Sequence, residues 1–107
     1  MTTLSEQLAR LQATIEARRG ADPAASYTAG LLADPARAAK KLGEEAVELA
    51  IAAAQGDRAA VTNESADLLY HWLVLLAACG VEPDAVAEAL AAREGRSGLE
   101  EKAGRTG

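Results

Sequence analysis

Phenylalanine is absent from this chain, and tryptophan, histidine, cysteine and methionine occur once each. With aromatics at 3% and half of all residues apolar, the core must be aliphatic, built from Ala, Leu and Val. Such a core suits closely packed helices more than a sandwich of strands, which favours β-branched and aromatic side chains. A single cysteine, Cys79, excludes a disulfide framework and a Cys-type zinc site. It lies in an apolar run and is expected as a small core residue. Basic residues are outnumbered, 11 against 16 acids, for a formal charge of -5. That balance argues against a general nucleic-acid binder, which shows a basic face. It leaves room for a phosphorylated substrate, because a bound metal reverses the local sign. The longest apolar run, Leu68 to Ala78, is interrupted by His71 and falls short of the ~20 residues that cross a bilayer. The opening residues carry an acid and lack an apolar stretch, so they do not read as a signal peptide. A cytoplasmic protein without membrane attachment is expected. At 107 residues it is expected to form one domain, residues 1–107, small enough that an oligomer would help its core.

Helical punctuation is clear. Leu4, Leu8, Leu11 and Ile15 recur at spacings of 4, 3 and 4, one helical stripe, starting near Thr3 or Ser5 and ending at Gly20. After a loop around Pro23, Ser26-Tyr27-Thr28 opens a short helical piece ending near Ala33. Asp34-Pro35 is an N-cap acid followed by proline at the first helical position. The spacing predicts helices from Asp34 to Gln55 and from Asp57 to Cys79, with Gly56 at the turn and Gly80 ending the second. A last helix runs from Glu82-Pro83-Asp84 to about Glu94, and the Gly-rich, charged segment 95–107 reads as a flexible tail. No stretch alternates as a strand would. The fold class expected is all-α, an antiparallel helical bundle. After Asp67 the fourth helix is apolar nearly all round, so it must be buried on several sides, and a homodimer that completes the core helices is the simplest way to do so.

Acids rarely enter apolar helices without a role. Glu44, Glu45 and Glu48 lie on one helix of this hairpin, Glu64 and Asp67 on the other. In an antiparallel pair facing positions share a constant index sum, and Glu48 with Glu64 and Glu45 with Asp67 both total 112. Two acids on each helix, one turn apart, therefore face each other and call for a divalent cation between them. On the first helix alone, a solvated face with Lys40–Glu44 and Lys41–Glu45 ion pairs competes with that reading. Asp67 tips the balance, because it is a poor helix-interior residue that introduces an apolar run. An all-oxygen donor set fits Mg²⁺, with Mn²⁺ as a substitute, and the absence of a Glu-x-x-His motif disfavours a di-iron centre. His71, alone on an apolar helix, reads as a hydrogen-bonded core residue rather than a ligand.

Two segments carrying these acids, Lys41-Leu42-Gly43-Glu44-Glu45-Ala46-Val47-Glu48-Leu49 and Glu64-Ser65-Ala66-Asp67-Leu68-Leu69-Tyr70-His71, resemble the phosphoribosyl-ATP pyrophosphohydrolase family. That family belongs to the all-α, MazG-like nucleoside triphosphate pyrophosphatases, whose signature is a Glu-Glu-x-x-Glu helix followed by a Glu-x-x-Asp helix. Ser26-Tyr27-Thr28 and Arg93-x-Gly95-x-Ser97-Gly98-Leu99-x-Glu101-Lys102 point to this member rather than its relatives. The resemblance implies Mg²⁺-dependent hydrolysis of 1-(5-phosphoribosyl)-ATP to 1-(5-phosphoribosyl)-AMP and pyrophosphate, the second step of histidine biosynthesis. It implies a metal held by Glu45, Glu48, Glu64 and Asp67, and a water activated by the metal or oriented by Glu44 attacking the α-phosphorus. Lys40, Lys41, Arg93 and Lys102 either contact phosphates or stand as solvent-exposed charges. Ser26 and Thr28 either cap the short helix or bind substrate.

Two rival functions share these residues. A housecleaning pyrophosphatase of non-canonical nucleoside triphosphates would use the same acids and metal with a different base pocket. A helical dimerisation or adaptor module would use the acids only to bind a basic partner. In the family the domain is also found joined to the cyclohydrolase of the next pathway step. With the hydrolase alone in this sequence, that partner is expected to be separate.

Overall fold

The computed structural model of the chain describes residues 1–95. Its elements are all helical: α1 Leu4–Ala17, α2 Tyr27–Leu32, α3 Pro35–Ala54, α4 Arg58–Cys79 and α5 Pro83–Ala91. The tail expected beyond residue 95, with Ser97-Gly98-Leu99 and Lys102, lies outside the described residues.

Four of the five starts are made by a side chain that satisfies an otherwise orphaned amide, and α5 begins at Pro83 without one. Thr3 accepts from the Glu6 N–H, Ser26 from Ala29, Asp34 from Arg37 and Asp57 from Ala60. Gly56 turns α3 into α4 with φ +70°, and Gly80 closes α4 with φ +71°, conformations that penalise any residue with a β-carbon. α1 stops at Ala17, three residues before Gly20. Arg19 leaves that helix end to bond Glu16 at 2.8 Å and the Ala77 carbonyl at 3.2 Å, tying α1 to the far end of α4. α5 ends at Ala91, short of Glu94.

α3 and α4 pack lengthwise as a hairpin, and α1 and α2 lean on α4. Small residues set the approach of the pair. On α3 the buried positions are Ala38, Glu45 and Ala52, a strict seven-residue stripe against α4. The aliphatic core itself is modest: Ile15, Leu31, Ala38, Leu73 and Val74 form its buried centre. Much of the apolar surface of α4 is not covered by the chain's own helices. Leu42, Ala46, Leu68, Leu69 and Trp72 line an open groove of about 410 Å³. It adjoins apolar clefts lined by Leu4, Leu8, Leu11 and Leu69 and by Trp72, Val86 and Leu90. Cys79, expected in the core, is exposed. It is the last residue of α4, and an apolar run in sequence does not guarantee cover at a helix end.

Candidate functional site

The acids meet in the α3–α4 seam. One carboxylate oxygen from each of Glu45, Glu48 and Glu64 lies within 4.8 Å of the other two. Glu45 is 8% exposed, although it sits in the same stripe as two core alanines. Glu64 is half-buried, whereas Glu48 is exposed and opens the cluster to solvent. Asp67, one turn after Glu64 on α4, is exposed and stands outside the three-carboxylate group. The pairing of Glu48 with Glu64 thus follows the index sum, while Glu45 converges on that same pair. Constant index sums describe parallel rods, and a packed pair of helices is rotated and inclined by its side chains.

Like charges at this spacing disturb one another. The Glu64 carboxyl is pushed above its ordinary 4.5, first by loss of water, then by a shared hydrogen bond with Glu48, and then by the charges of Glu48, Asp67 and Glu45. Two buried oxygens, Glu45 Oε2 and Glu64 Oε2, have no hydrogen-bond partner. Buried carboxylate oxygens without partners are costly, and three carboxylates this close could hold a cation between them. The donors are carboxylate oxygens, the set a hard cation such as Mg²⁺ or Mn²⁺ takes. The residues present fit the group.

The expected Lys40–Glu44 and Lys41–Glu45 pairs are replaced by one of different spacing. Lys41 Nζ lies 3.2 Å from Glu44 Oε2. Glu45 is turned into the seam, and among the described residues it forms no ion pair with the partly buried Lys41. The Lys41 ammonium is held above its ordinary range, foremost by its hydrogen bond to Glu44, then by the Tyr27 hydroxyl and the charges of Glu44 and Glu45.

Ser26 caps α2. The Thr28 hydroxyl is hydrogen-bonded to that of Tyr70 on α4. His71 is 7% exposed and is a core residue, as expected. Its Nδ1 is 2.8 Å from the Asp67 carbonyl, which only accepts, so Nδ1 carries the proton, and Nε2 meets Tyr27 Oη at 3.1 Å. Tyr27 stacks near Tyr70, and the Arg37 guanidinium lies over its ring at 5.7 Å from the centroid. Arg93 is exposed just past α5. Sequence reasoning singled out neither Tyr27 nor Arg37 for a role of its own. The available signal was Arg37 itself, a cation in the first turn of α3, where the helix dipole disfavours one.

A family model described as phosphoribosyl-ATP pyrophosphohydrolase matches residues 8–94. A protein of Caulobacter sp. (strain K31) named phosphoribosyl-ATP pyrophosphatase is 67% identical over 105 residues, 98% of each chain. One from Caulobacter vibrioides (strain NA1000 / CB15N) with the same name is also 67% identical, over 102 residues and 95% of each chain. Another from Methylobacterium radiotolerans is 61% identical over 99 residues, 92% of each. The family match takes in every helix that bears an acid of the cluster, and the relatives align nearly end to end: this chain belongs to the phosphoribosyl-ATP pyrophosphohydrolase family.

Proposed function

We propose that this protein hydrolyses 1-(5-phosphoribosyl)-ATP to 1-(5-phosphoribosyl)-AMP and pyrophosphate with Mg²⁺, the second step of histidine biosynthesis. It would work as a homodimeric, single-domain enzyme in the cytoplasm. The observation that carries the chemistry is the pair of buried, unpartnered oxygens of Glu45 and Glu64 facing each other across the seam beside Glu48. Family membership and the names of its relatives supply the substrate. Glu45, Glu48 and Glu64 would hold the metal, with Asp67 one turn away as a fourth acid. A divalent cation bound there supplies Lewis-acid neutralisation of the triphosphate and of the departing pyrophosphate.

The chain's own residues divide the remaining work. Glu45, fixed in the helix interface, gives the site a rigid wall. Glu48 and Asp67, both exposed, face incoming substrate. Glu44 stands on the solvent side of the same helix with one oxygen held by Lys41, leaving the other to orient water for in-line attack at the α-phosphorus. Lys41, kept protonated, presents a point charge to phosphate. Ser26 and Thr28 act through α2, one as its cap and the other as its tie to α4. Arg93 and Lys102 are proposed to reach phosphates from the C-terminal side. The uncovered groove of Leu42, Ala46, Leu68, Leu69 and Trp72 supports the dimer, since an apolar patch of this kind on a small helical chain calls for a partner.

The decisive assay is pyrophosphate release from phosphoribosyl-ATP with and without Mg²⁺, beside a panel of nucleoside triphosphates. Metal-dependent turnover that is fastest with phosphoribosyl-ATP is the expected result. Faster hydrolysis of dUTP or another dNTP would replace this reading with housecleaning. No metal-dependent release would leave the binding module.

A further inference from the structure

Arg37 occupies the third position of α3, after Pro35 and Ala36 and behind the Asp34 cap. An acid or glutamine there would complete a capping box and favour the helix dipole, so helix stability does not account for an arginine. Nor does a surface ion pair: among the described residues no carboxylate lies within 4.0 Å of its guanidinium. The group rests instead over Tyr27, 5.7 Å from the ring centroid, with Nη1 3.7 Å from where a β-carbon on Gly30 would sit. Tyr27 is itself fastened through its hydroxyl to His71 Nε2, and His71 through Nδ1–H to the Asp67 carbonyl. A line of side chains therefore holds Arg37 in register with the acidic turn of α4. A cation–π contact at this distance engages none of the N–H donors, and among the described residues none of the Arg37 side-chain donors has a hydrogen-bond partner, which leaves them for a ligand.

The position selects the ligand. Arg37 precedes Glu45 and Glu48 by eight and eleven residues on one helix, a rise of roughly 12 to 17 Å. A phosphate chain drawn to the acids at 45, 48 and 64 leaves Arg37 facing a second anionic group. The substrate proposed above has one, the 5-phosphate on its additional ribose, a monoester dianion that ATP lacks. We infer that Arg37, seated on Tyr27, recognises this ribosyl phosphate and sets the preference for phosphoribosyl-ATP over ordinary nucleoside triphosphates. Tyr27 acts as a positioning residue that keeps the planar donor fork aimed. The inference rests on the proposed function for the identity of the substrate.

Calorimetric titration of the full chain with phosphoribosyl-AMP and with AMP tests it. The two ligands differ by the ribosyl phosphate arm and both lack the pyrophosphate. Arg37→Ala is expected to weaken phosphoribosyl-AMP binding roughly 10- to 100-fold, the scale of a lost charge-assisted contact, while AMP affinity stays within error. Arg37→Lys should lose less, since it keeps the charge and not the fork. Tyr27→Ala should reproduce much of the loss, and Tyr27→Phe, which keeps the ring but cuts its tie to His71, should lose less than Tyr27→Ala. A wild-type chain that binds phosphoribosyl-AMP well beside an Arg37→Ala variant that binds it equally well overturns the inference alone. Equal losses for both ligands also overturn it, by placing Arg37 on the AMP moiety. A wild-type chain that binds phosphoribosyl-AMP no more tightly than AMP also overturns it, whereas the proposed function itself falls only if pyrophosphate release from phosphoribosyl-ATP fails.

Discussion

Glu45 is the most constrained of the five acids. It lies between Ala38 and Ala52 in the stripe that packs on α4, where an apolar residue would stabilise the hairpin and a carboxylate costs free energy. The cost is shared with Glu64, whose carboxyl holds its proton above the ordinary 4.5. Between 4.5 and that raised value the folded chain binds more protons than the unfolded one, so stability falls as pH rises through the window. Metal-free Glu64→Gln should therefore melt at a higher temperature than the parent at pH 7, and the gap should close as pH falls towards 4.5. Saturating Mg²⁺ should reverse the order at pH 7, because only the parent retains the full donor set. Glu48→Gln and Asp67→Asn should each lower turnover by orders of magnitude in a pyrophosphate-release assay, with the helical circular dichroism retained. Glu44→Gln separates roles at the same scale. A fall in kcat with Mg²⁺ affinity unchanged fits a water-orienting residue, and a parallel fall in both would make Glu44 a ligand instead.

Helix α2 is six residues long and would not persist alone. Two cross-links fix it to α4, Tyr27 to His71 and Thr28 to Tyr70. Removing the Tyr27 hydroxyl strands Nε2 of a buried imidazole, so Tyr27→Phe should destabilise the chain by about 1 to 3 kcal/mol in urea denaturation. The α3–α4 pair depends on small residues. Ala52 is 5% exposed, and a leucine there must push the helices apart. Ala52→Leu should cost about 1 to 3 kcal/mol through overpacking and should also weaken Mg²⁺ binding, which calorimetry would resolve. A loss of stability with metal affinity intact would mean that the seam yields elsewhere.

At the scale of the whole molecule, the open apolar groove around Leu69 and Trp72 departs from a self-sufficient fold. After Asp67, α4 has apolar residues on nearly every side, and the chain's own helices cover only part of them. Sedimentation should give about twice the 11.0 kDa chain mass. Leu69→Glu, which puts a charge into the groove, should shift the protein to monomer and lower its melting temperature. A wild-type chain that sediments as a monomer at micromolar concentration would remove the dimer from the proposal and leave the groove in need of another partner.

Helix starts and stops were legible because they are local. Asp34 and Asp57 cap amides three residues away, and Gly56 and Gly80 adopt conformations set by their own missing β-carbon. The run of acids was also written in spacing, and the motifs around it carried the resemblance to the family. Tertiary packing decided which acids converge: Glu45 joins Glu48 and Glu64, while Asp67 stays exposed one turn on. It also decided that Lys41 pairs with Glu44, that Cys79 is exposed, and that Arg37 rests on Tyr27. Sequence periodicity says which residues share a face. The rotation and inclination of one helix against another come from how Ala38, Ala52, Leu73 and Val74 fill the space between them, and that volume is defined only once the chain has packed.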